Sequence, residues 1–325
     1  ASPLRTSKSI MVDKVEWIWE DGEWVRWDDS KIHILTHTLH YGLGVFEGIR
    51  CYAQAGGGGA VFRLKEHIDR LFESANMCLM HIPFTREQVS DACLEIVSRN
   101  GLTGGCYLRP IAYLGAGQMG LAADNDVKIT IASWAWGAYL GEDGIKNGIR
   151  TKVSSFRRPK ADSSLPKGKI CGQYVMSILA KRDALADGYA EAIMLDTEGR
   201  VCEGTGENIF VVKNGRVATP PLGQALLGGI TRSTVIELLE GRGLTVHEET
   251  ISREQLYTAD EIFLTGTAAE VTPVREIDRR TVGPGHPGEL TKWVQTEYAA
   301  MVRGEREKYV SYCEKVPEAA NRATA

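Results

Sequence analysis

Lys169, Tyr174 and Glu203 are the residues whose types and spacing speak most directly of chemistry. Lys169 stands in the run PKGKICGQY, Tyr174 follows five residues later, and Glu203 opens the run EGTGEN 34 positions on. A lysine amine can add to a carbonyl carbon and form an imine. A phenol can donate to an oxygen on an aromatic ring, and a carboxylate keeps a ring nitrogen protonated by opposite charge. Together these are what pyridoxal phosphate chemistry asks of a protein, since the protonated ring then accepts carbanion electrons. Taken singly, each has a plainer reading: a surface cation, a helix residue packing its ring, a turn glutamate. Lys167 competes with Lys169, but it lies between Pro166 and Gly168. The small and apolar residues after Lys169 and the spacing to Tyr174 favour Lys169. A buried lysine resists protonation, and the neutral amine is the form that attacks a carbonyl.

Other runs supply an anion site. LLGGITRS at 226–233 is a glycine turn that opens a helix. Free N–H groups at Gly229, Ile230 and Thr231, aided by the helix dipole and the Thr231 hydroxyl, suit a phosphate. TGTAAE at 265–270 is a second small-residue turn, offering Gly266, Thr267 and further N–H groups, and Arg70 is a candidate cation. The glycines of EGTGEN let backbone approach a ligand closely, and Asn208 follows the same turn. Tyr107 and Arg109 alternate along an expected strand and so share one face. An arginine at the rim of an apolar pocket would admit an acidic side chain without charging the walls. Pairing with an acidic neighbour is the structural alternative for Arg109. AGGGGA at 55–60 lacks a Gly-Lys-Ser/Thr ending and sits between strand-like runs, so it reads as a hairpin loop. His37-x-x-His40 has no third ligand at suitable spacing, so we expect strand or turn histidines and no metal.

The elements that must hold these residues follow from patterning. WIWEDGEWVRW is a hairpin turning at Asp21-Gly22. The run 64–79 puts Ile68, Leu71 and Ala75 on one helical face. Thr85 with Gln88, and Ser252 with Gln255, read as capping boxes. A helix is expected from about Tyr174 to Leu185, with Gly188 as its stop. The alternation lacks repeated βαβ units, which points to an α+β fold and away from a doubly wound parallel sheet. We expect a flexible extension at 1–14, a small α+β domain at 15–137 and a connection at 138–148. A large cofactor-binding domain at 149–308 and a flexible tail at 309–325 complete the division.

The bounds agree with that division. A chain of 325 residues is long for one core, so two domains are expected. A formal net charge of -4 gives no sign of a nucleic-acid or anionic-membrane partner. No apolar run is long enough to cross a bilayer. Seven scattered cysteines with no C-x-x-C pair suggest reduced thiols in a cytoplasmic or organellar-matrix compartment.

The runs HTLHYGLGVFEGIRCY, CYLRP, WAWGAYLG, KICGQY, EGTGENIF, GGITR and LTGTAAEVTPV stand in an order and spacing that resembles the branched-chain amino acid aminotransferases. These belong to the fold-type IV pyridoxal phosphate enzymes, and the resemblance covers about residues 15 to 305. It implies a D-amino acid aminotransferase-like two-domain fold, with mixed sheets or a barrel and flanking helices. It implies pyridoxal 5'-phosphate alternating with pyridoxamine phosphate, and ping-pong transfer from L-leucine, L-isoleucine or L-valine to 2-oxoglutarate. On the resemblance Lys169 is the Schiff-base lysine and proton shuttle, Tyr174 meets the ring oxygen, and Glu203 meets the ring nitrogen. Arg70, Gly229, Ile230, Thr231, Gly266 and Thr267 form the phosphate cradle. Tyr107 with the N–H groups of Thr267 and Ala268 takes the α-carboxylate, and Tyr41, Phe46, Gly48, Trp136 and Tyr139 wall the side-chain pocket beside Arg109. Some family walls come from a partner subunit, so a homodimer or larger homo-oligomer is implied. Gly228 and Gln173 depart from the proline and asparagine that the family often has there. Other fold-type IV activities remain as alternatives: D-amino acid or (R)-amine transamination, or an aminodeoxychorismate lyase. A non-catalytic cofactor-binding protein and a plain interaction domain are the alternatives from other classes.

Overall fold

Asp21 and Gly22 take positive φ values of 47° and 95°, the backbone that a two-residue hairpin needs, and join Trp17–Glu20 to Glu23–Arg26. The computed structural model describes residues 12–137 and 140–318. They fall into two units, one of residues 12–137, 168–172 and 300–318, the other of residues 140–167 and 173–299.

The first unit is built on an eight-stranded antiparallel sheet. Its order is Cys313–Lys315, Gly59–Phe62, Ile49–Ala53, Gly105–Leu114, Val127–Ala135, Trp17–Glu20 and Glu23–Arg26, with Gly44–Phe46 also pairing to Gly105–Leu114. The glycine run is a hairpin loop, with Gly57 and Gly58 at φ 90° and 74° between paired strands. Helix Leu64–Met77 buries Leu64, Ile68, Leu71 and Ala75 into one core with Ile49, Leu108 and Ile129. This is the i, i+4, i+7 stripe of an amphipathic helix. His67 and Ser74 are buried beside that stripe, with Arg70 between them along the helix. Helix Arg86–Arg99 starts on the Thr85–Gln88 capping box, with both reciprocal bonds formed.

The second unit carries a nine-stranded mixed sheet. Its order is Val201–Glu203, Glu191–Leu195, Ile149–Arg157, Glu270–Ile277, Glu261–Gly266, Asn208–Lys213, Arg216–Thr219 and Val246–Glu248, with Arg280–Thr281 beside Glu270–Ile277. Ile149–Arg157 runs parallel to both of its neighbours. Every residue of Glu191–Leu195 is buried, as befits a strand in the interior of a sheet. Helix Tyr174–Ala186 ends before Gly188 at φ 79°. The Ser252–Gln255 capping box opens the short helix Arg253–Tyr257.

The structure corrects three expectations. Residues 309–318 are not a loose tail: Cys313–Lys315 pairs with Gly59–Phe62, and Tyr309 and Cys313 are buried. An edge strand with exposed N–H groups offered that pairing, a long-range signal that tail composition hides. The glycine-rich connection contains the helix Glu142–Asn147, flanked by Gly141 and Gly148 at φ 79° and 82°, with acids in its first turn and Lys146 in its last. His37 and His40 lie on helix His37–Tyr41 and not on a strand or turn, and buried His37 reaches the Gly120 carbonyl through Nε2. Residues 1–11 of the expected extension, and Tyr139 of the expected pocket, lie outside the described residues.

Candidate active site

In the first unit, Lys169 is stitched into the sheet by its backbone. The Phe46 N–H donates to the Lys169 carbonyl at 3.1 Å, the Lys169 N–H donates to Ser74 Oγ at 3.0 Å, and Ile170 bridges to Val45. Lys169 Nζ stands 5.1 Å from the centre of the Phe46 ring. Tyr107 packs its ring 4.9 Å from Trp136 and 5.2 Å from Trp134. The Arg109 guanidinium lies 4.7 Å from the Phe46 ring centre and 5.4 Å from that of Tyr107. Its Nε has no hydrogen-bond partner among the described residues. Its Nη2 donates to the Tyr107 hydroxyl at 3.4 Å. Among the described residues no acidic side chain pairs with Arg109, and this bond with the aromatic faces holds it. Gly48 is obligatory here, because a Cβ would fall 1.8 Å from the Tyr107 hydroxyl. Tyr41 stands apart from this cluster, 44% exposed, with its ring on those of His37 and His40.

Arg70 sits in the same unit with a partner the sequence does not announce. It donates through Nε and Nη2 to the two oxygens of Glu47, at 2.6 and 2.9 Å, a bidentate pair. His67 Nδ1 lies 2.7 Å from Glu47 Oε2, and Glu47 is fully buried. Burial alone would push the Glu47 carboxyl up; the Arg70 charge, with the bonds from His67 and Arg70, reverses that and holds it well below the usual carboxylate range. Burial also holds the His67 imidazole below its usual range. The carboxylate can only accept, so the neutral His67 ring donates its Nδ1–H.

The second unit gathers the other half of the predicted set. Glu203 Oε2 accepts from Asn208 Nδ2 at 3.3 Å and from the Leu227 N–H at 3.2 Å, while Oε1 meets Arg158 Nε at 3.1 Å. Arg158 also donates to Ser177 Oγ and to the carbonyls of Gly204 and Thr205. Ser177 is one turn along from Tyr174, the first residue of its helix, so Arg158 ties that helix to the EGTGEN turn. Asn208 packs against Gly229 so closely that a Cβ there would fall 2.0 Å from its Oδ1. Helix Ile230–Gly241 begins after Gly229 with no side-chain cap, and Thr231 is buried in its first turn. Asn208 pairs with Thr265 across neighbouring strands, and the Gly266 backbone abuts Gly206. Glu203, Gly229–Thr231 and the turn holding Thr267 and Ala268 therefore converge. Lys167, the competing lysine, donates its ammonium to the carbonyls of Gln224 and Leu226 at 3.1 and 2.9 Å, a structural tether for the glycine turn.

A model of the class IV amino-transferases matches residues 44–277. The chain belongs to this family. The class IV aminotransferase is 45% identical over 303 residues to the branched-chain-amino-acid aminotransferase of Pseudomonas aeruginosa, covering 93% of this chain and 98% of that one. The crystal structure of the Escherichia coli branched-chain amino acid aminotransferase superposes with a TM-score of 0.91 at 41% identity, covering 94% and 100% of the two chains. The branched-chain aminotransferase of the archaeon Thermoproteus uzoniensis, solved with norvaline, gives 0.88 at 40% identity, covering 93% and 100%. Another solved branched-chain amino acid aminotransferase, 43% identical with a TM-score of 0.90 over 94% and 99% of the two chains, holds pyridoxamine 5'-phosphate. The α+β expectation and the fold-type IV resemblance both hold.

Sequence reasoning missed several residues of this aminotransferase that brace the predicted ones: Glu47 and His67 around Arg70, Ser74 against Lys169, and Arg158 on Glu203. It also missed Glu207, whose buried carboxyl is pushed up to about 8 by burial and by the nearby Glu191 charge. Glu191 is held by Lys181 at 2.5 Å and by the Thr205 hydroxyl at 2.7 Å. The one sequence signal was spacing. His67, Arg70 and Ser74 recur at i, i+3 and i+7, one polar stripe beside the apolar one. Among the described residues no cluster of three metal-ligating side chains occurs. None of the helices there is long and apolar enough to cross a membrane.

Proposed function

We propose that the chain transfers the amino group of L-leucine, L-isoleucine or L-valine to 2-oxoglutarate on pyridoxal phosphate, with Lys169 as the reactive amine. The observation that carries this reading is the setting of Lys169: its amine faces Phe46 in a cluster of aromatic rings whose cation, Arg109, rests on ring faces and lacks a partner at Nε. Such a pocket takes an aliphatic side chain against its walls and an acidic one against its arginine. The branched-chain names of the relatives point the same way.

The residues suit a phosphorylated pyridine aldehyde. Glu203 offers a buried, triply anchored carboxylate for a ring nitrogen. The bare Gly229 and the uncapped first turn at Ile230 and Thr231 offer N–H groups to a phosphate, with the Thr267 turn alongside and Arg70 as the assigned cation. When bound, pyridoxal phosphate supplies the carbonyl that takes up the amino group and a ring that delocalises the electrons left at the α-carbon. Lys169 moves the α-proton, Tyr174 donates to the ring oxygen, and Glu203 holds the proton on the ring nitrogen. Tyr107 and the N–H groups of Thr267 and Ala268 orient the α-carboxylate. Tyr41, exposed and outside the Phe46 cluster, is assigned to the pocket of a second copy in a homodimer.

The test is the visible absorption of the cofactor-loaded protein. L-leucine should abolish the band and 2-oxoglutarate should restore it, the two halves of a ping-pong cycle. A band that ignores leucine sinks the assignment and favours a D-amino acid, amine or lyase activity. In the same titration Arg109→Ala should weaken restoration by 2-oxoglutarate roughly 10²-fold, the loss of a charged hydrogen-bonding partner, while leucine changes by only about twofold. Equal losses for both substrates would remove Arg109 from acidic-substrate recognition.

A further inference from the structure

We infer that Ser74 is a positioning residue for Lys169, which fixes the reactive amine from a helix to which it does not belong. This rests on the aminotransferase reading above. Ser74 is fully buried on helix Leu64–Met77. Its hydroxyl donates to the Arg70 carbonyl one turn back at 2.7 Å, the i−4 bond open to a serine inside a helix. That bond spends the hydroxyl proton and leaves the lone pairs facing outward, where one receives the Lys169 N–H at 3.0 Å. On the other side of the residue the Phe46 N–H donates to the Lys169 carbonyl. Lys169 is thus held at both backbone groups.

The same helical turn carries a second anchor. Arg70, whose carbonyl orients Ser74, is clamped through its guanidinium by buried Glu47, and Glu47 is clamped in turn by His67. Glu47 follows Phe46 directly, so both bonds that hold Lys169 lead to one rigid stretch. The chain of contacts runs from Glu47 through Arg70 and Ser74 to Lys169. It sets the amine assigned to the cofactor aldehyde and the guanidinium assigned to its phosphate from one piece of backbone. Movement of that turn would shift both groups together, and a fixed distance between them is what a reaction at one end of a tethered ligand needs.

Amide exchange and half-reaction kinetics of the holoenzyme test this, with Ser74→Ala and Ser74→Thr beside the unaltered protein. Ser74→Ala should speed exchange at the Lys169 amide about tenfold, the equivalent of one buried hydrogen bond, without speeding it along Leu64–Met77. The half-reaction with L-leucine should slow by about the same factor, with KM within about twofold. Ser74→Thr, which keeps the hydroxyl, should recover both. A merely structural serine would instead loosen the helix amides and leave Lys169 in step with them. Exchange and rate both unchanged in Ser74→Ala would overturn the inference. If Ser74→Ala does not fold, the unaltered protein still decides, because a Lys169 amide exchanging at the rate of open chain also overturns it. Failure of the functional reading looks different: the unaltered protein would ignore leucine, while the exchange at Lys169 would still report on Ser74.

Discussion

Lys169→Ala should abolish amino-group transfer, by on the order of 10⁴-fold, and leave the protein folded. The expected loss is large because on the proposed function one side chain serves as covalent anchor and as proton carrier, and general acid–base catalysis alone contributes up to about 10⁴. The fold should survive because the contacts that seat residue 169 belong to its backbone. The Phe46 N–H, the Ser74 hydroxyl and the neighbouring Ile170–Val45 bridge are all kept by alanine. The variant should still bind pyridoxal phosphate, through the phosphate and ring contacts, but borohydride should no longer fix the cofactor to the chain. Three measurements check this: steady-state transamination, the thermal midpoint, and the mass of the borohydride-treated protein. Transamination at the normal rate, or a fixed adduct at another lysine, would move the chemistry away from Lys169. Lys167 is the natural suspect in that event, and its ammonium is already committed to the carbonyls of Gln224 and Leu226, with burial lowering its pKa.

Local signals in the chain were enough for many of the elements, and for a physical reason. Capping boxes, hairpin turns and helix stripes are short-range constraints, so Thr85–Gln88, Asp21-Gly22 and the Ile68–Leu71–Ala75 face are readable without the fold. Lys169 and Glu203 stand out as candidates in the sequence because glycines and small residues, which let backbone approach a ligand, cluster beside them. What was not readable is pairing at long range. Arg158 directly follows the strand Ile149–Arg157 in the run SFRRPK, where either arginine looks solvated, and only the fold brings it to Glu203. Arg70 is visible as a cation, yet nothing local says that Glu47, 23 residues earlier, holds both of its forks. The placement of residues 168–172 is hidden for the same reason. Lys169 and Tyr174 lie five residues apart, but the contacts assign them to different units. The strand Cys313–Lys315 is the clearest case, because its partner at Gly59–Phe62 is some 250 residues distant in a polar tail's company.

Glu203→Gln should slow the chemical step by roughly 10²–10³-fold and weaken cofactor binding much less, the magnitude typical when one preorganised electrostatic partner is lost. Two donors converge on Glu203 Oε2, the Asn208 amide and the Leu227 N–H, and the Arg158 guanidinium forms an ion pair at Oε1. A glutamine of the same shape turns one oxygen into an NH₂ group, which either meets the two donors at Oε2 or faces the Arg158 cation at Oε1. That leaves buried polar groups unsatisfied, which costs about 1–3 kcal/mol of stability and should lower the thermal midpoint measurably. On the proposed function it also removes the negative charge that would keep a proton on the ring nitrogen, so the α-proton becomes harder to remove. The phosphate site proposed at Thr231 and the bare backbone of Gly229 and Ile230 is separate from this carboxylate and stays in place, so affinity should change little. Rapid mixing with α-deuterated leucine separates the two effects. An isotope effect that grows with the slowed step, at near-normal cofactor affinity, is the expected pattern. An unchanged chemical step would strip Glu203 of its role at the ring. A loss confined to cofactor retention would reduce it to a packing residue of the EGTGEN turn. Arg158→Met offers an independent check, because it leaves the carboxylate in place and removes the cation that orients it. On this reading it should produce a smaller loss of the same kind, with the isotope effect again rising. A loss without that rise would mean that Arg158 braces the helix at Ser177 and does not orient the carboxylate.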